Sequence, residues 1–213
     1  MDQNLKKVTE ARIARTIVNL SKNNMNGYYV HSTDALKDLL KKLVPEQASV
    51  AVGGSMTLFE TGLIDWIREQ PYHFYDRYAP EITAAELKQV HRNAFSANAY
   101  FCSSNAITEK GELYNVDGAG NRVAAISYGP DKVFIILSAN KIVKNIEEAV
   151  TRNREVCAPA NNVRLNTGTP CTFTGSCSDC RSEGRICCSY SIIAHQRDKD
   201  RIHVIFVDGN YGY

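Results

Sequence analysis

Five of the seven cysteines of this chain fall between Cys171 and Cys188, in the order Cys171-x5-Cys177-x2-Cys180-x6-Cys187-Cys188. Thiolates are soft, strongly binding metal ligands, and two of them separated by two residues reach one metal across a tight turn. Cys177 and Cys180 have that spacing, and two outer cysteines complete four thiolates. Four thiolates repel one another unless a metal neutralises them, and Arg181 and Arg185 add positive charge nearby. Adjacent residues of an extended chain point to opposite sides, so Cys187 and Cys188 are not both expected on one centre. The spacing matches neither common ferredoxin pattern and holds only one of the two CxxC pairs of a zinc ribbon. It leaves the metal open between an iron–sulfur cluster, the favoured reading, and zinc. A set of free, partly buried thiols is the alternative to either, and His195 is a weaker substitute for one thiolate.

A second constellation is Gly53-Gly54-Ser55-Met56-Thr57, which follows an apolar strand and precedes a helix. Small residues at such a junction leave backbone N–H groups free to face an anion, and the Ser55 and Thr57 hydroxyls add donors. The Gly-Lys-Ser/Thr ending of a P-loop is absent, and so is GxGxxG. A tight turn with Ser55 or Thr57 as helix cap explains the same residues without a ligand. A third constellation runs from Ser104-Asn105-Ala106-Ile107-Thr108 to Asn115-Val116-Asp117-Gly118-Ala119-Gly120-Asn121-Arg122. It brings polar groups to strand ends, where α/β proteins bind ligands. Asp117 is a candidate base or acceptor and Arg122 a candidate clamp for carboxylate or phosphate. Ordinary turn chemistry, in which Asp and Asn bond their own backbone, explains the same residues. Glu60 and His91 read as solvated helix positions, with Glu60 the better site candidate because it is near the glycine loop. No Ser/His/Asp or Cys/His set assembles from spacing, so catalytic residues are unassigned.

The elements that must hold these residues alternate. An amphipathic helix spans residues 4 to 23, followed by a short strand Tyr28-Tyr29-Val30. Leu36, Leu39, Leu40 and Leu43 make the stripe of a second helix, capped by Ser32 or Thr33 and followed by Pro45. Ser49 to Val52 is an apolar strand, and Leu58, Phe59, Leu63, Trp66 and Ile67 predict one helix after it. Thr83 and Glu86 form a capping box for a helix running to about Phe95. Ala99 to Cys102 is a buried strand. Segments 112 to 116 and 122 to 126 flank two glycines within five residues, which predicts a hairpin or a tight binding loop. Lys132 to Leu137 is a buried strand, followed by a helix with Ile146, Ala149 and Val150. The helical signal fades after Pro159, and Ile202 to Val207 is the last strand. This alternation predicts an α/β fold, with a mostly parallel sheet flanked by helices. Residues 1–213 read as one domain, with 159–190 as an irregular Cys-rich metal-binding segment that a metal would order.

Length and composition set the outer limits. The 213 residues suit one sizeable α/β domain, and 44% apolar with 23% charged residues exclude disorder as the default. Lys and Arg number 25 against 23 Asp and Glu, a net +2, so no polybasic face for nucleic acid is expected. The strongest apolar run, Val133 to Leu137, is far short of the ~20 residues of a membrane span. The first residues lack the apolar stretch of a secretory signal, so a cytoplasmic location is expected. Clustered cysteines in a cytosolic chain, odd in number, favour metal over disulfides.

Taken together and in this order, the motifs resemble the LUD-domain family of the lactate-utilisation protein C type. The matching stretches are Val52-Gly53-Gly54-Ser55, Ser104 to Leu113, Asn115 to Ala124, Gly129 to Val133 and Asn140-Lys141-Ile142-Val143. In the tail they are Pro170-Cys171, Thr174 to Cys180 and Arg185-Ile186-Cys187, the mark of a short branch of the family. The resemblance implies a CoA-transferase-like (sugar-phosphate-isomerase-like) fold. It also implies an accessory or electron-transfer role in organic-acid oxidation of the lactate type, beside redox partner subunits. The branch carries Asn after Arg-Ile-Cys where this chain has Cys188. That makes Cys171, Cys177, Cys180 and Cys187 the implied ligands and Cys188 a spare thiol. Gly53, Gly54, Ser55, Thr57 and Glu60, with Asn105, Thr108, Asp117, Gly118, Gly120, Asn121 and Arg122, would line a cleft for a small anionic ligand. A CoA-transferase needs a catalytic glutamate in the matching loop, and none is identified here. Whether the chain is an enzyme is thus left open. The rival readings are a zinc-stapled, non-catalytic module that binds a small anion or docks a partner, and an enzyme acting on a phosphorylated or CoA-linked acid. A second copy of the chain is a further expected partner.

Overall fold

The computed structural model describes residues 2–213. Helix α1 (Gln3–Lys22) starts where the Asp2 carboxylate accepts the N–H groups of Asn4 and Leu5, and it buries Ile13, Thr16 and Leu20. Strand β1 (Asn26–Val30) leads to α2 (Thr33–Leu43), whose first turn is capped by Ser32. The helix stops at extended Val44, the conformation a following proline imposes. After β2 (Ser49–Val52) the single predicted helix is two, α3 (Met56–Glu60) and α4 (Leu63–Glu69). Gly62 separates them at φ +67°, a left-handed conformation that a helix cannot pass through. Strand β3 (His73–Tyr75), which the alternation does not predict, pairs with β2 at the edge of the sheet. Helix α5 (Ala84–Asn93) opens on the complete Thr83/Glu86 capping box.

The chain continues through β4 (Ala99–Cys102), β5 (Ala106–Thr108), β6 (Leu113–Asp117), α6 (Asn121–Ser127), β7 (Lys132–Leu137), β8 (Ile142–Val143) and α7 (Ile146–Arg152). Residues 122 to 126 are therefore helical and do not form the second arm of a hairpin. Asp117 Oδ2 accepts the N–H groups of Arg122 and Val123 across the loop, which starts a helix where periodicity alone allowed a strand. The helical signal also persists past Pro159. A π-helical turn (Asn153–Cys157) joins α7 to α8 (Ala158–Leu165) without a break, and Pro159 stands directly after that turn. Helix α9 (Cys171–Thr174), β9 (Ser189–Ile193) and β10 (Ile202–Val207) complete the chain. No helix among the described residues is long and apolar enough to cross a membrane.

Six strands form a wholly parallel sheet in the order β1-β10-β7-β4-β2-β3. Parallel sheets bury both faces, and side chains of one strand alternate between them. Val133, Ile135 and Leu137 of β7 pack with Ile13, Leu20, Val204 and Phe206 on one face. Phe134 and Ile136 pack with Leu36, Leu40, Leu58 and Ile205 on the other. A second, mixed sheet has the order β8-β5-β6-β9, with β6 antiparallel to both neighbours. The chain leaving the cysteine segment returns as β9 beside β6.

One buried guanidinium joins the two sheets. Arg122 is 7% exposed. Its Nη1 donates to Ser103 O (2.9 Å) and Asn115 Oδ1 (2.7 Å), and its Nη2 to Asn105 Oδ1 (3.0 Å) and Val116 O (2.7 Å). Ser103 and Asn105 follow β4 of the large sheet, whereas Asn115 and Val116 lie in β6 of the small one. Arg122→Ala removes four hydrogen bonds from this junction, at a cost of about 3–5 kcal/mol. In a chain of this size the melting temperature should fall by roughly 6–20 °C. Arg122→Lys should recover only part of the loss, because an ammonium lacks the planar fork. A fall of less than about 2 °C in a thermal melt followed by circular dichroism would show that the sheets hold together without it.

Candidate functional site

The strands of the large sheet end on one side of the molecule, and a cleft of about 320 Å³ opens there. The carboxyl edge of a parallel sheet is where α/β folds place ligands, and the volume suits a small molecule. One wall is the turn after β2, a second the turn after β4, and a third the loop between β6 and α6. Seven of the sequence candidates line it: Gly54, Ser55, Asn105, Asp117, Gly118, Asn121 and Arg122.

The other five sit behind the wall or away from it. Gly53 continues the sheet by donating its N–H to Phe101 O, and a Cβ there would stand 2.8 Å from the Tyr100 hydroxyl and 3.2 Å from Arg122 Cδ. Its lack of a side chain therefore serves packing. Thr57 is fully buried beneath the turn, and Glu60 accepts the N–H of Gly212 at 2.6 Å. Thr108 donates to Glu112 in a turn, and Gly120 precedes α6 at φ +80°. The roles of the lining residues also differ from those sequence suggests. Arg122 spends both of its terminal nitrogens on protein acceptors, and its Nε stands 3.9 Å from Asp117 Oδ1. It contributes charge to the cleft and has little donor capacity left for a ligand.

Residues that spacing did not single out supply that capacity. Arg77, just after β3, lines the cleft with its guanidinium over the Tyr78 ring at 5.4 Å, and among the described residues it makes no ion pair. His91 faces the cleft from α5 and is not on a solvated face. Its Nε2 is buried without a hydrogen-bond partner, and burial, reinforced by Arg77, holds its pKa below the usual histidine value. Arg164 of α8 lines the far end, donating from Nε to the Tyr213 hydroxyl at 2.8 Å. Lys141, just past β7, is 2% exposed on the cleft wall, and burial pushes its pKa down to about 7. Cations outnumber Asp117 on these walls, so the cleft favours an anion. Arg77 and Lys141 share one signal that sequence does carry: each lies just past the carboxyl end of a parallel strand. His91 has none, because its place depends on how α5 docks.

The four cysteines implied as ligands, Cys171, Cys177, Cys180 and Cys187, line a single small cavity between α8 and the segment after it. Cys188 does not; it is exposed and donates to Arg185 O at 3.3 Å. His195 is placed elsewhere, beside Asn24 at 3.2 Å. Arg185 organises the cavity. It donates from Nη1 to Cys180 O and from Nε to Cys187 O (2.8 Å), and it pairs with Asp179 at 2.9 Å. Cys177 Sγ accepts the N–H of Asp179 at 3.4 Å. Hydrogen bonds from Ser182, aided by Arg185, draw the Cys180 thiol below its usual pKa. Burial, with the Cys177 thiol beside it, pushes Cys187 up to about 11. Thiols of this kind ionise when a cation takes the charge. Among the described residues no three His, Cys, Asp or Glu groups converge tightly enough to hold one ion. Ile186 lines both this cavity and the cleft, so the two share a wall. The remaining thiols stand apart: Cys102 is a core residue whose burial raises it to about 12, and Cys157 accepts from Arg152 Nη1 at 2.6 Å on the cleft wall.

The fold is similar to that in the crystal structure of a DUF162 family protein from Deinococcus radiodurans at 1.70 Å resolution. The two share 14% identity over 93% of this chain and 98% of that one, with a TM-score of 0.51. No curated protein matches the chain. The sequence pattern of the family described as LUD domain matches residues 13–207, from α1 to the end of β10. On that match across nearly the whole length, the chain belongs to the LUD-domain family.

Proposed function

We propose that this protein is an accessory, electron-transferring component of organic-acid oxidation of the lactate type, with a four-cysteine iron–sulfur centre beside an anion-accepting cleft. The observation that carries the reading is the shared wall: Ile186 separates the cysteine cavity from a cationic cleft. Cys171, Cys177, Cys180 and Cys187 would hold the cluster, which when bound supplies one-electron transfer. Four thiolates on one ion must all stand ~2.3 Å from a single point, whereas a cluster takes its thiolates on separate irons. Arg185 keeps the backbones of Cys180 and Cys187 together and offsets thiolate charge. In the cleft Arg77 binds the carboxylate, and His91 Nε2 offers a second polar contact near it.

Two measurements test the halves separately. Protein purified without oxygen should contain iron and matching acid-labile sulfide, with visible absorption that Cys177→Ser abolishes and Cys188→Ser leaves in place. Stoichiometric zinc without iron would replace the electron-transfer role with that of a zinc-stapled binding module. For the cleft, lactate or pyruvate should raise the melting temperature of the wild type beyond the effect of equal chloride, because a ligand that binds only the folded state stabilises it. Arg77→Ala should remove that rise and Arg77→Lys should keep part of it. An undiminished rise in Arg77→Ala would dismiss Arg77 as the anion ligand.

A further inference from the structure

Lys141 is the one buried lysine on the cleft wall among the described residues. Its Nζ donates to Thr57 Oγ1 at 2.9 Å and to Ser103 Oγ at 3.0 Å. Both acceptors are hydroxyls, and no carboxylate pairs with it among the described residues. An ammonium has three N–H donors, whereas a neutral amine has two donors and a lone pair. Two acceptors therefore match the neutral amine and leave its lone pair unused. Gly212 packs against the same spot, and a Cβ there would stand 3.1 Å from Nζ. The neighbouring charges pull in both directions. Arg152 of α7 and Arg122 of α6 oppose protonation, while the Cys157 thiol and Glu60 of α3 favour it. Glu60 spends Oε2 on the Gly212 N–H, and burial is the largest influence of all. A desolvated lysine near other cations is how an amine becomes a nucleophile at neutral pH.

We propose that Lys141 captures a small carbonyl compound bearing a carboxylate or phosphate as an imine in this cleft, an inference that rests on the anion-accepting reading above. The Nζ lone pair attacks the carbonyl carbon and forms the C–N bond. The carbonyl oxygen leaves as water with the two protons of the amine, so atoms balance without an oxidant or reductant. Arg77 holds the anionic group, and Thr57 and Ser103 aim the amine. A carbon held in this way loses an adjacent proton or carboxylate more readily, because the imine nitrogen accepts the electron pair. The class of reaction is therefore lyase or isomerase chemistry next to a carbonyl.

The test is reductive trapping on the full chain. Protein is incubated with pyruvate, with dihydroxyacetone phosphate or with acetone, treated with borohydride, digested and mapped by mass spectrometry. Near pH 7.5 the anionic carbonyls should label the Lys141 peptide on the order of 100-fold more than any exposed lysine, since ordinary lysines titrate near 10.4. Labelling should climb through pH 7 and level off above it, while surface lysines go on rising toward pH 10. Pyruvate and dihydroxyacetone phosphate distinguish a carboxylate from a phosphate as the anchoring group. Equal labelling by acetone, or labelling spread over exposed lysines with Lys141 no higher than the rest, overturns the proposal. The wild-type map alone separates these outcomes, and Lys141→Met should lose the adduct. If pyruvate raises the melting temperature through Arg77 but leaves no adduct, the imine step falls and the cleft reading stands; if neither occurs, both fall.

Discussion

The buried guanidinium of Arg122 is the constraint on which the rest of the structure depends. It sits where the large parallel sheet hands the chain to the small mixed one, and it satisfies acceptors on both. Its cost is high, since a charge removed from water must be repaid by hydrogen bonds in a low-dielectric setting. Asn115 completes the network by accepting from Ser104 as well as from Arg122. Its own Nδ2 is buried without a partner.

Because Arg122 is committed to the scaffold, the free polar capacity of the cleft falls to residues around it. Arg77 carries a guanidinium that nothing in the protein engages by ion pairing among the described residues, and Lys141 carries an amine that burial and neighbouring cations keep from charging fully. Both sit just past strand ends, which a parallel sheet brings to one edge. The cysteine cavity adjoins this cleft for a topological reason. The chain leaving α8 makes the cysteine excursion and is then recaptured by β6 through β9, whose first residue follows Cys188. Cys188 N–H donates to Asp117 O, so one backbone bond links the cysteine segment to the rim of the cleft.

Sequence periodicity read the alternating core strands and the main helices, and it located the loops that carry polar residues. Thr83 with Glu86, Ser32 with Ala35 and the apolar run at Val133 behave as local chemistry dictates. It failed where long-range bonds overrule local preference. Residues 122 to 126 became a helix because Asp117 supplies the cap, Pro159 opens α8 instead of closing a helix, and Gly62 splits one apolar stripe into two helices.

The division follows the range of the forces involved. The α/β class and family membership were both legible in the sequence, because alternation and motif order are properties of the chain itself. The assignment of Arg122 as scaffold, the entry of Arg77, His91 and Lys141 into the cleft, and the wall shared through Ile186 were decided only by the tertiary structure. Those facts depend on which donors find acceptors and which side chains lose water once distant segments meet, and neither hydrogen bonding nor desolvation at such distances leaves a mark on local sequence.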